Sequence, residues 1–320
     1  MRESAFVFLR GTFFRWMQIW PERLPRLDAA PRVIGVGDLH LENFGTWRDE
    51  DNRLVWGVND VDEACQIPYT LDLVRLATSA VLAIREGHLA LSPESACQAI
   101  LDGYTTSMRR RGFPSVLDGH ELLRSIVFAP HNPKHYWRKL ASHPRATGKV
   151  PTKKLRAHMP DKDAKITIVR RIAGVGSLGR QRFVAIADNG DSCVAREAKA
   201  LVPSAAAWAR GEERPKTYIE TLLAHAVRVP DPTYDVSRRW IIRGLAPDCT
   251  RIELADLPKE RDELKLLRAM GWEAANMHLG SRRRKILKHL ATQSDRWLEH
   301  AAKEMAAATT EDFRAWVTST

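Results

Sequence analysis

The chain has 320 residues, 44% of them hydrophobic and 28% charged, so it is long and apolar enough to bury a sizeable core. Its formal net charge of +11 favours anionic partners, such as nucleotide phosphates, an acidic substrate or nucleic acid, without choosing among them. No apolar stretch approaches the roughly 20 residues that cross a bilayer, which argues against a membrane partner.

The N-terminal half predicts helices around a strand and hairpin unit. The aromatic stretch from Phe6 to Trp20 predicts a helix that the following prolines break. The segments RVIGVGD, LHLENFGTW and RLVWGVNDVDEA then predict a strand, a loop, a hairpin and a second loop. Helical spacing predicts a helix over Tyr69–Arg85, and another that starts after Ser92 and ends at Gly112.

The second half predicts a β-rich region followed by helices. Residues 141–165 show no period and are interpreted as a linker or mobile loop. KITIVRRI, RQRFVAIA and SCVAREAKA alternate and predict an antiparallel meander. A helix over 216–228, a strand at 240–243 and long helices over 258–279 and 281–317 follow.

Four other sequence features carry simpler expectations. The N-terminal MRESAFVFLRG is too soon charged for a signal peptide, which predicts a cytoplasmic protein. The four cysteines are scattered and predict neither a zinc site nor a disulfide framework. The basic runs at 109–111 and 282–285 are expected at helix ends, where cations complement the dipole and are solvated.

One group of polar residues has the spacing needed for phosphoryl transfer. Asp38 and Asn43 lie five residues apart in a loop that leaves a strand, and Asp60 follows the next hairpin. A carboxylate can accept a hydroxyl proton, and oxygen ligands can hold Mg²⁺ against phosphates. The alternative is that Asp38 and Asn43 only make turns. His40 either contacts phosphate or fixes the turn through the backbone.

GDLHLENFG followed by LVWGVNDVDEA resembles the catalytic and metal-binding loops of aminoglycoside phosphotransferases and choline kinases. This resemblance implies that Asp38 is the catalytic base and that Asn43 and Asp60 are Mg²⁺ ligands. It makes Asp62 a further candidate metal ligand, at a position where relatives often carry an acid. Asp72 resembles the buried acid that braces the catalytic loop from a helix.

A glycine-rich segment supplies the second nucleotide signal. A strand follows it, so a kinase-type hairpin that covers ATP phosphates fits better than a Rossmann turn, which needs a helix there. The expected lysine on the next strand is replaced by Arg196, with Lys199 on the opposite face if the strand is regular. Glu220 is a candidate partner for that cation. The predicted ATP-binding residues of the segment are Gly174, Gly176, Ser177 and Gly179.

The order of these motifs predicts an α+β, protein-kinase-like two-lobed fold in circularly permuted order, with the catalytic motifs first and the glycine-rich β lobe after. The expected parts are a helical catalytic portion (1–140), the linker (141–165), a nucleotide-binding β lobe (166–250) and C-terminal helices that return to the catalytic lobe (251–320). A permutation is acceptable where the original termini lie close together.

The chain also resembles the bacterial domain-of-unknown-function family 2252, through SAFVFLRG, GDLHLENFG, NDVDEA, GVGSLG, AREA and the WEAANMH segment. The predicted function is ATP- and Mg²⁺-dependent transfer of phosphate to a hydroxyl of an unidentified small molecule. Protein kinase or AMP-transferase activity is the first alternative, and a nucleotide-binding pseudoenzyme, motivated by Arg196, is the second. The third is a basic nucleic-acid-binding protein, suggested by Tyr136-Trp137-Arg138-Lys139.

Overall fold

The fold combines a helical part, built from both ends of the chain, with a five-stranded sheet built from its middle. The computed structural model describes residues 1–127, 132–172, 180–188, 190, 193–237, 239–249, 251–254 and 262–319. Within these residues the protein is a mixed α+β molecule, which confirms the predicted class. The permuted kinase-like arrangement stays a prediction. No helix in the described ranges has the length and apolar character needed to cross a membrane.

Long helices from both halves of the sequence form the core of the helical part. α4 is buried along nearly its whole length, because its residues are apolar or small on every face. α5 packs closely on α11, and α13 packs on α4. The bounds are α1 (Ala5–Gly11), α2 (Phe13–Arg23), α3 (Pro25–Asp28), α4 (Tyr69–Arg85), α5 (Pro93–Arg110), α6 (Glu121–Val127), α11 (Glu263–His278), α12 (Arg283–Leu290) and α13 (Trp297–Ser319).

Two small sheets carry the loops that hold the candidate site. β1 pairs antiparallel with β4, and the β2–β3 hairpin pairs with β5. A short 3-10 helix (Leu41–Asn43) lies between β1 and β2. The predicted strand, loop and hairpin are therefore confirmed. The strands are β1 (Arg32–Gly35), β2 (Phe44–Arg48), β3 (Leu54–Val58), β4 (Cys65–Pro68) and β5 (Ser115–Val116).

The middle of the chain forms an antiparallel sheet in the order β6-β7-β8-β10-β9. The three strands of the predicted meander are confirmed as its first three strands. Two short helices, α9 and α10, come between β8 and β9, and α9 packs on α2 of the helical part. The bounds are β6 (Ile166–Arg170), β7 (Arg182–Asp188), β8 (Cys193–Ala200), α9 (Ala205–Ala209), α10 (Ile219–His225), β9 (Asp235–Val236) and β10 (Trp240–Leu245).

Short helices cover both faces of this sheet. Leu140 of α7 (Pro133–Ala141) packs on one face with Val184, and Leu155 of α8 (Thr152–Ala157) packs on the other with Phe183. Leu155 is fully buried. Part of the segment predicted as a linker is therefore a structured cover of the sheet. The six-residue helix α8 is too short to show a helical period in the sequence.

The helix predictions are confirmed best where caps and periodicity agree. α4 has the predicted bounds, and α5 begins after Ser92, whose side chain accepts a hydrogen bond from Ser95. The single helix predicted over 281–317 is wrong, since α12 and α13 are separate. The basic run at 282–285 begins α12 instead of ending a helix, so these cations oppose the helix dipole.

Candidate functional site

The loop after β1 carries Asp38 and is held by the carboxylate of Asp72. Gly37 has a φ of +84°, and a side chain there would overlap the carbonyl oxygen of Glu63, so glycine is required. Asp72 on α4 accepts hydrogen bonds from the backbone N–H groups of Val36 (2.7 Å) and Gly37 (2.8 Å). The predicted contact between this helix and the loop is therefore confirmed.

A chain of buried polar groups extends from Asp72 into the helical core. His278 at the end of α11 contacts Asp72 through Nε2 at 2.8 Å, and its Nδ1 lies 2.9 Å from the hydroxyl of Tyr104. All three side chains are fully buried. The sequence analysis identified the segment around His278 but not this role. These hydrogen bonds connect the Asp38 loop to α4, α5 and α11, so the packed helices hold the loop in position.

Asp38, which is partly exposed, forms an ion pair with the fully buried Arg75, a contact that was not predicted from the sequence. Arg75 donates to Oδ1 of Asp38 from Nε, at 2.8 Å, and from Nη2, which also donates to the carbonyl of Leu9. Its guanidinium carbon lies 5.1 Å from the ring centroid of Phe13 and 4.9 Å from that of Trp16. An arginine inside a helix of mostly apolar residues was the available signal, since a buried charge requires a partner.

The surroundings of Asp38 shift its carboxyl toward neutral pH. Burial raises its pKa to about 7, although Arg75 opposes the shift, and the nearby carboxylates of Glu63 and Asp60 add to it. A general base works best when its pKa lies near the working pH. Because Arg75 occupies Oδ1, Oδ2 is the oxygen left to receive a proton.

His40 and Asn43 fix the turn that follows Asp38. The side-chain oxygen of Asn43 accepts from the N–H of His40 at 3.2 Å, and Nδ1 of His40 accepts from the N–H of Glu42 at 3.2 Å. Burial, with Arg10 and Arg75 nearby, holds the pKa of His40 well below its usual range. Of the two roles considered for His40, the turn-forming one agrees with these contacts. The Asn43 oxygen keeps a second lone pair for a cation.

The second loop, residues 59–64, lies against the first. The N–H of Asn59 donates to the carbonyl of Asn43 at 2.8 Å, and the N–H of Asp62 contacts Asp60 at 3.4 Å. The loop closes on the Asp38 loop through the approach of Glu63 to Gly37. The loop that carries Asp38 and Asn43 therefore lies beside the loop that carries Asp60 and Asp62.

Lys199 of β8 faces the two acids of this second loop. Its ammonium group lies 3.7 Å from Asp60 and forms an ion pair with Asp62. The Asp60 side chain is 48% exposed, and although desolvation by its surroundings raises its pKa, Lys199 and arginines of the sheet outweigh this effect and lower that pKa to about 2. Burial also lowers the pKa of Lys199, although Asp60 opposes this shift. Asp60 is therefore ionised at neutral pH.

Arg196 lies on the other face of β8, so the expectation that it faces the acids is corrected. Its side chain donates to the carbonyl of His158 at 2.9 Å, beside α8. Successive strand residues point to opposite faces, and the odd number of steps to Lys199 separates the two cations. Only the structure separates the two cations, because a strand sequence does not say which of its faces meets the rest of the molecule.

Three arginines surround one buried glutamate on the face of the sheet that carries Lys199. Glu197 is fully buried and accepts from Arg171 (2.8 Å) and Arg243 (2.8 Å), with Arg182 at 3.5 Å. Burial raises its pKa, but the three guanidinium groups together lower it to about 2. The cluster carries a formal excess of positive charge next to Asp60, which favours an anion there.

Several predicted residues remain outside the assembled site. Gly174, Gly176, Ser177 and Gly179 lie outside the described residues, between β6 and β7 in the sequence. Glu220 is exposed on α10. Among the described residues no cluster of three or more His, Cys, Asp or Glu side chains has the arrangement of a metal site.

The comparisons with known proteins cover part of the chain. A family model described as an uncharacterized protein conserved in bacteria (DUF2252) matches residues 1–121. No curated protein and no solved structure matches the chain. The matched region contains Asp38, Asn43, Asp60 and Asp72, together with Arg75. The similarity to the family therefore covers the two loops of the candidate site, while Lys199 on β8 lies outside it.

Proposed function

We propose that the protein is an ATP- and Mg²⁺-dependent phosphotransferase that acts on a hydroxyl of a small molecule. The observation that carries the proposal is the meeting of Lys199 with Asp60 and Asp62 next to Asp38. Phosphoryl transfer requires a cation for the phosphates, an ionised oxygen ligand for Mg²⁺ and a base for the acceptor. These three elements come from β8, the second loop and the first loop.

The residues present fit Mg²⁺ bound together with a nucleotide. Asn43 and Asp60 supply two hard oxygen ligands, while Asp62 is engaged by Lys199. Mg²⁺ is commonly held by one or two carboxylates, with waters and phosphate oxygens as the other ligands. When bound, the ion would neutralise charge on the phosphates. The small protein ligand set therefore agrees with a metal that arrives with ATP.

In this proposal Asp38 takes the proton of the acceptor hydroxyl through Oδ2 while Arg75 holds Oδ1. Lys199 binds phosphate oxygens, helped by the arginine cluster around Glu197. The glycine-rich segment between the paired strands β6 and β7 would cover the phosphates with its backbone N–H groups. We further propose that these parts form a kinase-like fold in permuted order, since the five-stranded antiparallel sheet follows the catalytic loops in the chain.

Two alternative functions, a nucleotide-binding pseudoenzyme and a nucleic-acid-binding protein, are less well supported than this proposal. The nucleotide-binding pseudoenzyme was suggested by Arg196, and in this proposal Lys199 takes the role of the lysine that Arg196 was thought to replace. The nucleic-acid-binding reading relied on Tyr136 and Trp137, whose rings pack against the hydrophobic core beneath the sheet. Transfer to protein, or of AMP, stays an alternative outcome of the product analysis.

The first test is a thermal shift with Mg-ATP on the wild type, Lys199→Met and Arg196→Met. Ligand at 100 times its Kd stabilises a protein by about 2.7 kcal/mol. We expect Lys199→Met to lose most of this shift and Arg196→Met to keep it. The two variants remove one cation each from the same strand, so they control for charge. An equal shift in the wild type and Lys199→Met would contradict the proposal.

Product analysis by mass spectrometry then tests the chemistry. Asp38→Asn keeps the shape of the side chain but cannot take the proton, so ATP binding should persist while transfer falls by about 10²-fold or more. A mass increase of one phosphate on an acceptor supports phosphotransfer, and an AMP adduct identifies the alternative. Full transfer by Asp38→Asn would exclude Asp38 as the base.

A further inference from the structure

A strongly basic cavity lies apart from the candidate site, where the ends of three segments meet. Its volume is about 620 Å³, and five of its lining residues are cations. None of the residues assigned to phosphoryl transfer lines it. The cationic residues are Arg111, Arg282, Arg283, Arg284 and Lys285.

The fold holds these cations together through specific backbone contacts. Arg111 follows the end of α5, and the other four residues lie where α12 begins. Arg283 joins the two segments, because its side chain donates to the carbonyls of Met108 (2.6 Å) and Arg109 (2.9 Å). Arg111 and Arg282 both have left-handed backbone conformations, with φ of 66° and 50°. Such conformations are uncommon outside glycine and are kept where the surroundings require them.

No acidic side chain in the described parts of the chain forms an ion pair with the cations of this region. The run at 109–111 and the run at 282–285 thus place seven cations without a described ion pair in two adjoining segments. The first turn of α12 adds to the cost, since cations at this end of a helix are repelled by its dipole. An anion bound among these cations would relieve this repulsion.

We propose that the cavity binds a compact ligand that carries several phosphate groups. Guanidinium groups match phosphate oxygens bidentately, and a cavity of this volume is in the range of small-molecule sites. Val227 and Leu279 provide an apolar wall for the organic part of such a ligand. A concave site favours a compact ligand over a nucleic-acid backbone, which needs an extended cationic track.

Titration calorimetry with inorganic tripolyphosphate at about 0.15 M salt, where exposed charges beyond about 8 Å are screened, tests this site. The wild type should bind one equivalent at the cavity, besides any tripolyphosphate that binds at the Lys199 site. Arg284→Gln/Lys285→Gln removes two exposed cations that make no described structural contact, and should weaken binding about tenfold or more. Arg111→Asn removes a cation that lines the cavity from the end of α5, so it should also weaken binding. Asparagine is chosen because it tolerates the left-handed backbone conformation at this position.

The matched control is Arg138→Gln/Lys139→Gln, which removes two exposed cations from α7. It should bind like the wild type. Lys199→Met, in which the proposed nucleotide site is altered, should keep the binding event that the cavity variants lose. Unchanged binding by both cavity variants would overturn the proposal. So would an equal loss in the α7 control, loss of that same binding event in Lys199→Met, equally tight binding of orthophosphate at the cavity, or tighter binding of a single-stranded oligonucleotide to the same cations.

Discussion

Asp38 illustrates how one buried cation sets the chemistry of a carboxylate. Burial raises the pKa of this carboxyl, and Arg75 offsets part of that effect. The guanidinium is itself stabilised by contacts with the rings of Phe13 and Trp16. Arg75 is therefore a positioning residue, which orients Asp38 and limits the rise of its pKa.

Arg75→Lys should move the pH dependence of phosphate transfer. The base must be ionised, so activity should fall below a pH of about 7 in the wild type. Lysine keeps the charge but lacks the two guanidinium donors that hold Oδ1. The pKa of Asp38 should therefore rise, and the pH below which activity falls should move to a higher value. Initial rates across pH measure this shift.

The control for Arg75→Lys is the Mg-ATP thermal shift, which should match that of the wild type because Lys199 is unchanged. If the rate is lower but activity falls at the same pH as in the wild type, Arg75 acts on the fold alone. The comparison thus separates a change in basicity from a loss of structure.

At the scale of elements, two glycines allow α5 and α11 to approach closely. A side-chain carbon at Gly103 would overlap the carbonyl oxygen of Arg268, and one at Gly271 would overlap that of Ile100. This contact places His278 at the end of α11 where it reaches Asp72. The spacing of two core helices therefore affects the loop that carries Asp38.

Gly103→Ala tests this close packing through the sign of its effect. In an uncrowded helix, alanine is about 1 kcal/mol more favourable than glycine. Here the backbone oxygen cannot move aside cheaply, so we expect destabilisation of about 1–3 kcal/mol. Urea unfolding of both proteins gives the difference, and a more stable variant would show that the helices can separate without cost.

Thr105→Ala, at a half-buried position on the same helix, serves as the reference substitution. Its effect on unfolding should be small, since it removes neither a core side chain nor a close contact. A similar loss in both variants would point to a general weakness of α5.

Across the whole molecule, a buried glutamate joins the helical core to the hairpin sheet. Glu273 of α11 accepts a hydrogen bond of 2.6 Å from Ser115 of β5. Burial raises its pKa to about 7, although the hydrogen bonds from Ser115 and Asn276 oppose this shift. The native state therefore binds a proton that the unfolded chain releases near its ordinary pKa of 4.5.

Glu273→Gln should alter the pH dependence of stability. Because the folded pKa is raised, Glu273 makes the wild type less stable as pH rises from about 4.5 through about 7. Above that range its ionisation costs on the order of 3 kcal/mol. Glutamine keeps the acceptor without the charge, so the variant should gain stability relative to the wild type as pH rises. Urea unfolding at pH 5 and pH 8 measures this, and parallel changes would contradict it.

The sequence alone determined several of the helices and strands, and it identified those residues of the candidate site that lie in the loops after β1 and β3. Periodicity defined α4, the Ser92 cap defined the start of α5, and alternation defined β6, β7 and β8, because these signals arise within a few residues of each other. Asp38 and Asn43 were identifiable because they share the loop between β1 and β2, and Asp60 because it follows β3.

Only the tertiary structure decided which partners these residues meet. The face of β8 that carries Lys199, the ion pair of Arg75 with Asp38 and the link from His278 to Asp72 all join segments far apart in the chain. The convergence of two basic runs on one cavity is of the same kind. Such contacts depend on how elements pack, and a strand or helix sequence does not encode its neighbour.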